Sequence, residues 1–299
     1  MTPAASGPSR ASAPGAHAPV REDDSPAGHG DRFRRRLLAL PDPACWRAAT
    51  GGVLAAALER LAHVDGERLA ARLRVAHGAT REASSLQPDL LHALGHPLTA
   101  QALARSTRLR FDAQRTALEA RICARYAKPL RAALTAVDAQ DFIGTIEHLG
   151  REAGGTSGFR ARAVALRGDA SDARLRFPHH RHIVPRLAEL HGYLRRHRQH
   201  DPLFCTLVAM VAITNLHPFL DANGRCSRIL GNALLRDANP HHIGYLPFYE
   251  VFWHSGHGWE IRVRLAELCA DWEPLCTYMG ELARVAAPLA SATIPQSIA

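Results

Sequence analysis

The chain is 299 residues long, 46% hydrophobic and carries a formal charge of +9. That much apolar sequence fills one large core or two smaller ones, and no apolar run reaches the ~18 residues of a membrane helix. The charge invites a nucleic-acid reading, but Lys128 is the only lysine and alanine is abundant. The arginine excess is better explained by a GC-rich coding bias than by a phosphate-binding surface. Neither a membrane nor a nucleic acid is therefore expected as partner. The opening residues lack the apolar core of a secretory signal, so a cytoplasmic location is expected.

Residues 1–30 are rich in Ala, Pro, Gly and Ser without apolar periodicity and are expected to be a disordered tail. Such a tail also suits a bacterial effector that is secreted. From Phe33 the apolar spacing becomes helical, through Leu54, Leu58, Leu61, Leu69 and Leu73, and residues 31–95 read as an N-terminal helical region. Leu98–Ala104 has the look of a helix-turn-helix opening. Helices are expected over 99–126 and 128–136, with a break at Lys128-Pro129. Another covers 139–153, ended by Gly154-Gly155, and a hairpin turning at Gly168-Asp169 follows. Helices then span about 182–198, 203–216, 225–237 and, with breaks, 257–288, leaving a short tail at 289–299.

The six cysteines form no C-x-x-C pair, and Cys205, Cys226 and Cys269 lie in apolar helical contexts. This pattern suits a reducing compartment and argues against structural zinc. His179, His180 and His182 cluster after the hairpin without an adjacent acid or cysteine, and read as a solvated loop.

Residues 217–228 carry most of the chemistry: His-Pro-Phe-Leu-Asp-Ala-Asn-Gly-Arg-Cys-Ser-Arg, set between two apolar helices. The Asn223-Gly224 pair permits positive φ, so successive N–H groups can converge on a phosphate. The next helix then presents its positive end to the same place. Arg225 and Arg228, at i and i+3, are expected on one side of its first turn as anion clamps. A bare Asp221 carboxylate would repel phosphate, so it reads as a ligand to Mg²⁺ bridging phosphate oxygens. His217 is the side chain here able to accept a proton near neutral pH. Together these residues suit hydroxyl attack on a nucleotide phosphorus.

This segment resembles the Fic family signature His-x-Phe-x-Asp/Glu-Gly/Ala-Asn-Gly/Lys-Arg-x-x-Arg, which His217, Phe219, Asp221, Ala222, Asn223, Gly224, Arg225 and Arg228 satisfy. Asn232 matches an asparagine usual in the following helix. Gly158-Phe159-Arg160 and Val164-Ala165-Leu166 resemble the family's flap strand, and Phe177-Pro178 with Ile183–Leu187 its return. The likeness is clear over 153–236, within a Fic domain placed at 96–288. It implies a mainly α fold, a Fic-type helical bundle with one short β-hairpin flap.

By the same resemblance the chain would transfer AMP from ATP onto a Ser, Thr or Tyr hydroxyl of a target protein, itself included. His217 would be the base, Asp221 the Mg²⁺ ligand, and Asn223, Gly224, Arg225 and Arg228 the phosphate-binding set. Phe219 would be a packing residue, and the flap at about 160–176 would hold the target as a strand. Phosphate-transferring relatives of the Doc type carry Lys where Gly224 stands, so glycine favours nucleotide transfer. Transfer of UMP or phosphocholine stays open, as does a non-catalytic helical nucleic-acid-binding or adaptor protein.

Many Fic enzymes carry a self-inhibitory Ser/Thr-x-x-x-Glu-Gly/Asn helix whose glutamate pairs with the motif's second arginine. Arg81–Pro88 sits in a comparable place but lacks the glutamate and glycine, with Glu82 only a displaced candidate. Arg228 is therefore expected to be unblocked in cis, leaving the enzyme open or restrained by a regulatory partner.

Overall fold

A computed structural model of the protein describes residues 18–19, 37–78, 93–95, 112–154, 157–167, 174–239, 244–256 and 258–291. Leu98–Ala104, Glu82 and the turn at Gly168-Asp169 lie outside them. The described residues form ten α-helices and a small antiparallel sheet. The helices are α1 (Pro43–Ala62), α2 (Gly66–Gly78), α3 (Arg115–Thr135), α4 (Gln140–Gly154), α5 (Ile183–His197), α6 (Pro202–Leu216), α7 (Asn223–Ala238), α8 (Phe248–His254), α9 (Gly258–Cys269) and α10 (Glu273–Ser291). The mainly helical class read from the sequence is what the structure has. No helix among the described residues is long and apolar enough to cross a membrane.

Helix α6 is the axis of the bundle. It begins at Pro202, whose missing N–H costs nothing at a first turn. Leu203–Val211, Ile213, Asn215 and Leu216 are all buried. A helix apolar on every side must be wrapped, and α5, α7 and the α1 end of the molecule pack around it. Helix α7 lies against α6 so closely that a Cβ on Gly231 would come within 2.5 Å of the Met210 sulfur. The Ser227 hydroxyl donates to the Met210 carbonyl at 3.0 Å, which fixes the two helices in register. Helices α3 and α4 cover the other side of α7. Helix α1 runs along α10, so the N-terminal helical residues are packed onto the C-terminal end.

One expectation is corrected. Helix α3 runs unbroken through Pro129, where a break was expected. Pro129 is itself exposed while Leu130, Ala133 and Leu134 beyond it are buried, and that burial outweighs one missing hydrogen bond. Ahead of the helices, Ala18–Pro19 forms strand β1, paired antiparallel with β2 (Val164–Arg167). An extended dipeptide needs only the open backbone edge of β2 to pair. Strand β2 also pairs with β3 (Arg174–Arg176), Ala165 opposite Arg176, which makes the expected hairpin. All six cysteines are free; Cys269, read as apolar-helical, is exposed, while burial pushes the Cys123 and Cys205 thiols up to about 12.

Phe219 ties this framework to the turn at 217–222. Its ring is fully buried against Gly150 of α4, where a Cβ would stand 2.0 Å from the ring carbon Cζ. Gly→Ala inside a helix ordinarily stabilises by about 0.5–1 kcal/mol. Gly150→Ala is expected to do the reverse, costing roughly 1–3 kcal/mol as the ring is expelled. Urea titration checks the sign.

Candidate functional site

The turn between α6 and α7 is made by two left-handed residues, His217 with φ 50° and Ala222 with φ 70°. Positive φ was expected at Asn223-Gly224, yet both belong to the first turn of α7. The chain must leave α6 and re-enter α7 within six residues, and the reversal falls at the two helix boundaries. The His217 N–H still donates to the Ile213 carbonyl at 3.0 Å, closing α6. Asn223 staples the loop: its Oδ1 accepts the Phe219 N–H and its Nδ2 donates to the Phe219 carbonyl, both at 2.9 Å. With the side chain so occupied, only the backbone of Asn223 is left to face the turn.

Helix α7 starts at Ala222 without a side-chain cap. Its first N–H groups face the turn, the arrangement that takes an anion. Gly224 keeps the approach clear: a Cβ there would lie 3.3 Å from Arg228 Nη1. The two arginines do not share a partner. Arg225 reaches back to Asp221 at 2.6 Å, where the carboxylate is 65% exposed. Asp221 Oδ1 also accepts the Ala222 N–H at 2.6 Å. Arg228 turns inward, its side chain 12% exposed.

The His217 ring lies flat on Phe177, with centroids 3.6 Å apart and planes within 14°. Phe177 donates its N–H to Val164 at 3.0 Å, so the return of the flap fixes the imidazole. Beneath it sits Arg160, which sequence reasoning treated only as part of a strand opening. Arg160 is buried; its Nε donates to the His217 carbonyl at 2.7 Å and its Nη2 to those of Leu216, at 3.2 Å, and Pro178. Its backbone N–H donates to the Pro218 carbonyl at 2.9 Å. A guanidinium thus caps the negative end of α6. Burial lowers its pKa to about 10, which still leaves it charged at neutral pH.

Arg228 is blocked in cis, which overturns the expectation from sequence. Glu119, fully buried on α3, takes both Arg228 Nε, at 3.0 Å, and Arg228 Nη2. Burial works against the Arg228 charge, yet pairing with Glu119 holds its pKa above the ordinary guanidinium value. The surrounding sequence, Arg115-Thr116-Ala117-Leu118-Glu119-Ala120, keeps only the glutamate of the self-inhibitory pattern. The flanking positions shape a helix start, whereas the ion pair needs only a carboxylate on the side of α3 that faces α7. Tyr245 donates its hydroxyl to the same Glu119 oxygen at 2.9 Å. Asn232 of α7 holds the neighbouring residue, accepting the Leu246 N–H at 2.6 Å and donating to the Leu246 carbonyl at 3.1 Å.

Residues 136–235 match the Fic/DOC family. Among solved structures, the chain is similar to a Fic family protein from Desulfovibrio desulfuricans G20, at 17% identity and a TM-score of 0.51, covering 85% of this chain and 75% of that one. Fic-1 from C. elegans is also similar, at 14% identity and a TM-score of 0.43, covering 82% and 73%. No curated protein sequence matches the chain. The match spans about a third of the chain and contains the whole turn from His217 to Arg228. A Fic/DOC domain over those residues supports the general Fic-type transfer of a nucleotide-linked group to proteins.

Helix α3 is anchored beside Glu119 by a second buried acid. Glu250 of α8 accepts the Thr116 hydroxyl. Burial pushes its pKa from 4.5 up to about 7, against the opposing pull of the Thr116 hydrogen bond and Arg74. The folded chain therefore holds a proton that the unfolded chain has released, and the stability this proton contributes below the unfolded pKa is lost as pH rises through about 7. Wild type is expected to lose stability relative to Glu250→Gln between about pH 5 and about pH 8. Thermal unfolding of both proteins at each pH checks this; a difference constant with pH contradicts it.

Proposed function

We propose that the chain transfers AMP from ATP to a Ser, Thr or Tyr hydroxyl of a target protein. One observation carries this reading: an uncapped helix start, kept open by Gly224, adjoins a buried histidine whose ring is locked by the flap. His217 accepts the proton of the attacking hydroxyl. The new P–O bond forms to that oxygen as the bond to the β-phosphate breaks, and pyrophosphate leaves. The backbone N–H groups of Asn223 and Gly224 receive phosphate oxygens, Arg225 clamps the departing phosphates, and Arg228 joins it once Glu119 lets go.

Asp221 fits a Mg²⁺ ligand, because its exposed carboxylate offers a hard oxygen at the open side of the helix start. The ion supplies charge neutralisation across the phosphates when bound. The target segment lies along the flap, near residues 160–176, as an added strand. Glu119 supports a restrained ground state, since a γ-phosphate and this carboxylate claim the same guanidinium.

His217→Ala is expected to lower label transfer from ATP by about 10²-fold or more while the fold is retained. A parallel set with labelled UTP, GTP and CTP tests the transferred group; labelling from a nucleotide other than ATP sinks the AMP assignment. Glu119→Gly is expected to tighten ATP binding at least about tenfold, by releasing Arg228 from a charged hydrogen-bonded partner. Titration calorimetry with Mg-ATP measures it, and an unchanged affinity removes Glu119 as the restraint.

A further inference from the structure

Glu119 is held from two directions. Arg228 supplies the charge, and the Tyr245 hydroxyl supplies a neutral donor to the oxygen that Arg228 Nε also uses. Tyr245 belongs to residues 244–247, the stretch of the α7–α8 connection that leads into α8. The backbone of that stretch is held at two adjacent residues. On the α7 side Asn232 binds the N–H and the carbonyl of Leu246. On the far side stands Gly66, the first residue of α2, where a Cβ would fall 1.9 Å from the Tyr245 carbonyl oxygen and 2.8 Å from its carbon. These are main-chain atoms and cannot swing aside as a side chain would. Gly66 is thus a place where the α1–α2 corner presses directly on the residue that holds Glu119. Tyr245 and Gly66 also share a cavity of about 890 Å³ with Thr116 and Ala120 of α3, so the corner, the tyrosine and the glutamate-bearing helix border one space.

We propose that Tyr245 is a positioning residue that sets the strength of the Glu119–Arg228 pair, and that the α1–α2 corner acts on the pair through the Gly66–Tyr245 backbone contact. The proposal deepens the functional reading above, because it concerns the same arginine. A tyrosine in this role acts by holding one carboxylate oxygen in place. Without the hydroxyl, Glu119 keeps its ion pair but, being fully buried, loses a donor where an unmade hydrogen bond is costly. Glu119 then yields Arg228 more readily to a competing phosphate. A displacement of the 244–247 connection by the α1–α2 corner has the same effect on the hydroxyl as its removal.

The test is a double-mutant cycle on the full chain. Without nucleotide, Tyr245→Phe is expected to lower the unfolding midpoint in wild type and to have little further effect in Glu119→Ala, which offers the hydroxyl no acceptor. Additive effects overturn the proposal whatever the chain's activity. With Mg-ATP, Tyr245→Phe is expected to tighten binding by about threefold to tenfold and to lower the KM for ATP with kcat little changed. In Glu119→Gly the same substitution should leave ATP affinity where it is. Equal tightening in both backgrounds means that Tyr245 meets the nucleotide itself, and no tightening in either means that the hydroxyl only supports the fold; each result overturns the proposal. Gly66→Ala, if its far-ultraviolet spectrum stays native, is expected to reproduce the Tyr245→Phe affinity, and wild-type affinity removes the corner from the route. Should Glu119→Gly bind no ATP, the nucleotide reading falls, while the nucleotide-free cycle still decides the place of Tyr245.

Discussion

The site depends on how one end of α6 is tied off. A helix buried on every side must stop abruptly, and its last carbonyls would be left without donors in the interior. Arg160 meets that need with a single guanidinium spread over Leu216, His217 and Pro178. The left-handed backbone at His217 follows, because the chain has to leave the helix axis at once. From that bend come the aim of the imidazole onto Phe177, the descent of Phe219 into the core beside Gly150, and the entry into α7 without a cap. The geometry of the turn is thus set by a residue more than fifty positions upstream.

The buried Glu119–Arg228 pair obeys a different logic. Desolvating two charges is expensive, and such a pair is weak evidence for stability. Here both members carry further contacts: Tyr245 donates to the acid, and Arg228 lies over the Tyr249 ring, 5.4 Å from its centroid. A pair this well satisfied holds its geometry firmly, yet it is open to competition from any anion that offers Arg228 an equal grip. That combination suits a restraint better than a structural rivet.

The sequence made the turn legible because its parts are contiguous. His217, Asp221, Asn223, Gly224, Arg225 and Arg228 lie within twelve residues, so spacing alone assigned them to one place. The helical class was legible for a similar reason, since apolar spacing is a local signal. Glu119 was not, because its meaning depends on a partner 109 positions away and on a pattern that has decayed at both flanks. Arg160 was hidden likewise: a buried arginine that serves carbonyls has no acidic partner in the sequence to betray it. Even within the turn, the Asn223-Gly224 pair pointed to the wrong residues for left-handed backbone. The reversal was dictated by where two buried helices end, which no dipeptide records.

The tight seam between α6 and α7 has a chemical corollary. Met210 faces Gly231 with its sulfur, fully buried, and its carbonyl is held by Ser227, one residue before Arg228. A sulfoxide oxygen at that sulfur has nowhere to go. While folded, the thioether is shielded from peroxide; a chain oxidised there during synthesis or unfolding cannot close the hairpin that carries the motif. Competence of this protein is therefore tied to the history of one methionine, and a reductase that reverses the lesion would restore it.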